Sequence, residues 1–170
     1  VYSGLADQLR RVATLIAGRN ALGVRRHLFF TAMGGYDTHA SQRGELWSRY
    51  DELGPALAAF QRALDALGVA AQVTTFTLSD FNRTFRVNAN AGTDHAWGGH
   101  QIVMGGAVKG GTFYGTFPTL AIGGPDDAGD EGQWIPTTAL DQVGATLARW
   151  FGVPAPDLPQ VFPNLAAFAT

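Results

Sequence analysis

The chain contains no cysteine. That excludes a disulfide framework, a thiolate metal site and a cysteine nucleophile, and it leaves the redox compartment open. Charge is also scarce, at 15% of residues against about a quarter in an average globular protein. The net charge is −2, and the paired bases Arg10-Arg11 and Arg25-Arg26 are too short to track a phosphate backbone, so nucleic acid is not an expected partner. No apolar run approaches the roughly 20 residues a bilayer-spanning helix needs, so no membrane span is expected. The glycine-rich stretches contain neither G-x-x-x-x-G-K-[ST] nor G-x-G-x-x-G, which removes the usual nucleotide-phosphate cradles.

What remains is a chain of 170 residues with 22 glycines, long enough for one domain with a real core. Its opening, Val1-Tyr2-Ser3-Gly4, leads straight into a helical pattern and reads as a piece of a longer protein. Leu5, Leu9, Val12 and Ile16 recur at steps of three or four, predicting a helix over 5–17. His27-Leu28-Phe29-Phe30-Thr31-Ala32-Met33 reads as a buried strand. Leu46, Tyr50, Leu53, Leu57, Phe60, Leu64 and Leu67 form the longest apolar stripe, with Pro55 expected to kink it or restart it. A second buried strand is expected from Gln72 to Leu78. Strand, helix and strand make a βαβ unit, which predicts parallel strands with a right-handed crossover. Short strands are expected at 102–104 and 113–117, and a helix opens at Thr137 or Thr138 and ends at Gly152. The organisation is a single or partial domain over 1–170: a βαβ core at about 25–80, a glycine-rich loop region at 81–135, and a C-terminal helix and tail at 136–170.

Three of the four histidines stand near carboxylates in two glycine-punctuated segments. These are Gly34-Gly35-Tyr36-Asp37-Thr38-His39 and Gly92-Thr93-Asp94-His95-Ala96-Trp97-Gly98-Gly99-His100. Imidazole nitrogen with carboxylate oxygen, and no thiolate, suits a divalent metal. Asp37, His39, Asp80, Asp94, His95 and His100 are the candidate ligands, for zinc, manganese or calcium. In the parallel-sheet reading, Asp37 and Asp80 both lie just past strand carboxyl ends, where open sheets bind ligands. Arg83 and Lys109 are the candidate anion binders, Arg as a fork and Lys as a point charge. His27 reads as a strand-edge residue, and the acidic stretch 123–132 as a solvated loop. Ser79 has no identifiable activating base, so no catalytic residue is assigned.

These motifs, with Thr75-Phe76-Thr77-Leu78-Ser79-Asp80-Phe81-Asn82-Arg83-Thr84, Val103-Met104-Gly105-Gly106-Ala107-Val108-Lys109-Gly110-Gly111, Ala145-Thr146-Leu147-Ala148-Arg149-Trp150-Phe151-Gly152 and Val161-Phe162-Pro163-Asn164-Leu165, resemble the C-terminal part of the DUF1501 family. That resemblance implies the alkaline phosphatase–sulfatase superfamily. The expected fold is then α/β, a mostly parallel sheet flanked by helices, alkaline-phosphatase-like, and the C-terminal portion of a larger domain. It further implies metal-dependent hydrolysis of phosphate or sulfate esters, with a small anionic ester or glycan as substrate. The alternative is a non-catalytic exported protein that keeps the fold to bind or to support. Export to the periplasm by the twin-arginine route is implied as well. The partner is the N-terminal half of the parent protein, or a second copy when the chain is isolated. Asn82 stands where the family usually has glycine, and Phe81 where the superfamily has histidine.

Overall fold

The computed structural model describes residues 4–168; Val1-Tyr2-Ser3 of the opening lies outside them. The periodic N-terminal segment is helix α1 (Leu5–Ala17), and the four residues that set its period are the ones it buries. A single turn, α2 (Arg19–Leu22), follows, and Gly23 ends it with φ of 65°. Helix α3 (Gln42–Ala66) runs without a break through Pro55. Its C-terminal half buries Ala56, Phe60 and Leu64. Leu5, Leu9, Val12 and Ile16 of α1 pack against these residues and Val69 to make the core, with Met33, Leu53, Leu57 and Val73 at its margin. The N-terminal end of the predicted stripe is not core: Leu46 is only partly buried and Tyr50 is 58% exposed.

The strands overturn the expected architecture. Among the described residues they are four two-residue pieces: β1 (Thr75–Phe76), β2 (Asn82–Arg83), β3 (His95–Ala96) and β4 (Val103–Met104). They pair antiparallel as β1 with β4 and β2 with β3. Among the described residues no parallel sheet flanked by helices exists, so the alkaline-phosphatase-like α/β fold class is not the one observed. The βαβ unit fails at its first member. Among the described residues the His27–Met33 run joins no ladder, and its backbone is met by the Gln8 carboxamide, which donates to the Ala32 carbonyl at 2.8 Å and accepts from the Ala32 N–H at 2.9 Å. Leu28 and Phe30 are 78% and 90% exposed. A central parallel strand needs neighbours on both edges and cover on both faces, and this segment has neither. The run predicted at 113–117 likewise forms no strand.

Helix α4 (Leu140–Phe151) starts slightly later than expected. The Gln142 side chain reaches back to the helix start and accepts from the Ala139 N–H at 2.9 Å. Gly152 closes it at φ of 108°. A short turn, α5 (Leu158–Val161), anchors the tail through buried Leu158. No helix of the described residues is long and apolar enough to cross a membrane.

The acidic stretch 123–132 is a loop wound around one carboxylate. Asp127 accepts backbone N–H groups from Gly123, Gly129, Gly132 and Gln133 at 2.8–3.2 Å. Those bonds, led by Gly123 and opposed by burial, hold its carboxyl at about 2, below the ordinary 3.8. Because the folded value is depressed, the stabilisation is complete above the ordinary value and is lost as pH falls through the folded one. Thermal melts should therefore show a stability loss between about pH 4 and about pH 2, and Asp127→Asn should flatten that limb.

Candidate metal centre

Two loops build the site by zipping together. Thr93 N–H donates to the Thr38 carbonyl at 3.1 Å, Ser41 N–H to Asn90 at 3.1 Å, and Gln42 N–H to Ala91 at 2.9 Å. Ala40 and Ala91 form an isolated antiparallel bridge. Asn88 locks the turn of the second loop: its Oδ1 accepts from the Asn90 and Gly92 amides, each at 3.0 Å. Its Nδ2 crosses to the first loop and donates to the His39 carbonyl at 3.1 Å. Gly92 permits this approach, since a Cβ there would lie 2.1 Å from the His39 carbonyl carbon.

The zip brings Asp37 and His39 of one loop onto His95 of β3. Asp37 Oδ1 lies 2.8 Å from His39 Nε2 and 2.9 Å from His95 Nε2. The two Nε2 atoms are 3.1 Å apart. These three ligating atoms form the one such cluster among the described residues, and all three side chains are about half exposed. Behind His39, its Nδ1 faces Asp94 Oδ1 at 3.2 Å. Asp94 is itself held by Asn88 Nδ2 at 3.3 Å and by its own amide on Thr84 Oγ1 at 3.0 Å. His95 is oriented by Phe81, whose ring stacks on the imidazole with centroids 4.1 Å apart and planes 9° from parallel.

Asp37 Oδ1 has a third neighbour, Arg83 Nη1, at 2.7 Å. The hydrogen bond from His95, and after it the one from Arg83, outweigh partial desolvation and lower the Asp37 carboxyl from its ordinary value. It is therefore an ionised acceptor at neutral pH.

The arrangement suits a cation better than a closed set of hydrogen bonds. Asp37 Oδ1 accepts from His95 Nε2 and Arg83 Nη1, which fills the about two lone-pair sites of a carboxylate oxygen, and His39 Nε2 lies 2.8 Å from the same oxygen without a hydrogen bond to it. One ion shared by the two Nε2 atoms and Oδ1 would use one lone pair and leave the other for Arg83. His39 would then donate Nδ1–H to Asp94, the carboxylate–histidine–metal relay that fixes tautomer and ring orientation. Atoms 2.8–3.1 Å apart are within reach of a single ion at about 2.0–2.2 Å from each.

The other sequence candidates lie elsewhere. Asp94 is not among the converging atoms but backs His39. Asp80 is exposed in the bend before β2 and makes no hydrogen bond or ion pair with a described residue. His100 packs on Phe117 at 4.9 Å and edge-on to Phe113 at 6.4 Å, an aromatic contact apart from the cluster. Lys109 is exposed, and its carbonyl accepts from Tyr114 Oη at 2.6 Å. His27 stands edge-on to Phe29 at 5.0 Å. Sequence reasoning missed Asn88, Thr93 and the role of Phe81. The Asn88-x-Asn90 spacing was the one local signal, since asparagine side chains close turns on backbone amides two residues on.

No curated protein and no solved structure matches this chain. A family model described as a protein of unknown function (DUF1501) matches residues 6–133, a span that holds all of the cluster and the loops that close it. The chain belongs to the DUF1501 family.

Proposed function

We propose that this chain carries the metal centre of a metal-dependent hydrolase acting on small phosphate or sulfate esters. The observation that carries the reading is the convergence of His39 Nε2, His95 Nε2 and Asp37 Oδ1 within 3.1 Å of one another, with a carboxylate behind one imidazole. Two imidazoles and one carboxylate favour zinc or manganese over calcium, which prefers six to eight oxygens. A divalent ion there would polarise an ester oxygen and offset the charge that develops as the ester breaks.

The chain's own residues divide the work. Asp37, His39 and His95 hold, Asp94 and Phe81 orient the two rings, and the half-exposed side leaves room for a ligand. Among the described residues of the site no serine or threonine hydroxyl is both unpaired and open to solvent: Thr38 Oγ1 has no hydrogen-bond partner but is buried. Ser79 Oγ donates to the Phe81 carbonyl at 2.6 Å, and Thr93 Oγ1 accepts from Arg83 Nε at 3.0 Å. A nucleophile must therefore come from solvent or from residues outside this cluster. Export by the twin-arginine route and association with an N-terminal half belong to the same proposal.

The test is hydrolysis of p-nitrophenyl phosphate and p-nitrophenyl sulfate by the chain with added zinc or manganese. Turnover that chelator abolishes, and that His95→Ala lowers by about hundredfold or more, is the expected result. Stoichiometric metal without turnover of either ester would contradict the hydrolase reading and shift the assignment to a binding role.

A further inference from the structure

We infer that Arg83 is the positioning residue of the metal centre, fixing Asp37 as a one-oxygen ligand, and is not a clamp for the substrate's anion. The inference rests on the metal reading above. Its Nη1 takes Asp37 Oδ1 at 2.7 Å, its Nε donates to Thr93 Oγ1 at 3.0 Å, and its Nη2 donates to the Thr93 carbonyl. A planar guanidinium bonded on three nitrogens has its position and tilt determined.

The Arg83 side chain is 11% exposed, against 56% for Asp37. Three of its five N–H groups are thus spent inside the protein, which suits a strut and not a receptor for a solvent-borne anion. The backbone sets the same relation. Arg83 and His95 are register partners across the β2–β3 ladder, and side chains directly opposite in an antiparallel pair share a face. Phe81 completes the unit, stacked on His95 and 5.8 Å from the Arg83 guanidinium carbon. Arg83 therefore delivers the Asp37 oxygen from the first loop to the imidazole of the second.

Two roles for this cation predict opposite signs. If it acted only through charge, it would repel an incoming divalent ion, and removing it would tighten binding. If it positions Asp37, removing it weakens binding, and lysine does not replace the fork.

The experiment is calorimetric titration of zinc chloride into wild type, Arg83→Lys, Arg83→Met and Thr93→Val, with circular dichroism melts of each. Both Arg83 variants are expected to bind zinc about ten- to a hundredfold more weakly. Thr93→Val, which removes only the hydroxyl that holds Nε, should weaken binding in the same direction by less. Arg83→Met binding as tightly as wild type or more so, or Arg83→Lys equal to wild type, overturns the inference. Should the Arg83 variants fail to fold, unchanged affinity in Thr93→Val overturns it alone. A wild type that binds no zinc overturns the metal reading itself, and this inference with it.

Discussion

Replacing His95 with alanine should remove metal binding, raising the dissociation constant by more than about a hundredfold, beyond the range usual for residues that act behind a ligand. His39→Ala and Asp37→Ala should do the same, because each supplies one of only three converging atoms. The hierarchy below them is the sharper expectation. Asp94→Asn should cost about ten- to a hundredfold, since Asp94 reaches the centre only through His39 Nδ1. Asp80→Asn and His100→Ala should change nothing, because neither belongs to the cluster. Dialysis against zinc followed by elemental mass spectrometry on the six variants reads this order directly. An Asp80 or His100 variant that lost metal as fully as His95→Ala would show that the ligand set is assigned wrongly.

Gly92→Ala should damage both the fold and the site. The added Cβ would sit 2.1 Å from the carbonyl carbon of His39 and 2.3 Å from its oxygen, and backbone yields less readily than a flexible side chain. Overpacking of this kind costs about 1–3 kcal/mol, or a melting temperature lower by roughly 2–4 °C for each kcal/mol in a chain of this size. Relief requires the loops to separate, which moves His39 away from His95. A shift of about 1 Å in a preorganised group can cost on the order of a hundredfold in function, so zinc affinity should fall with stability. Gly110→Ala is the control, since a Cβ there meets nothing within 4 Å. Equal affinity and equal melting temperature in Gly92→Ala and Gly110→Ala would contradict the zipped-loop description.

The helices were legible because period and burial coincide. Leu5, Leu9, Val12 and Ile16 repeat at helical spacing and are all buried, and Phe60 and Leu64 extend the same logic in α3. The sheet was not legible. An apolar run such as His27–Met33 carries no information about which strand lies beside it, and among the described residues none does. The chain's accessible surface of 11421 Å² exceeds the roughly 8,000 Å² expected of a compact protein of its mass. Phe30, Trp47 and Phe113 remain on that surface, although composition alone would place them inside.

The site was half legible. Asp37, His39 and His95 stood out by residue type and by their glycine-marked loops. Asp80 and His100 carried the same signal but went elsewhere, because the Thr38–Thr93 and Ala40–Ala91 contacts choose which atoms meet, and spacing along the chain does not encode them. Arg83 was visible as a basic residue near the motifs. Its direction, inward onto the Asp37 carboxylate, required the fold.

The most direct measurement is X-ray absorption at the zinc edge of the zinc-loaded wild-type chain, after dialysis to remove loose ion. A centre built from His39, His95 and Asp37 requires one zinc per chain, with two imidazole scattering patterns and an oxygen shell at about 2.0–2.2 Å. An ion surrounded by water alone, or no ion retained, would contradict it.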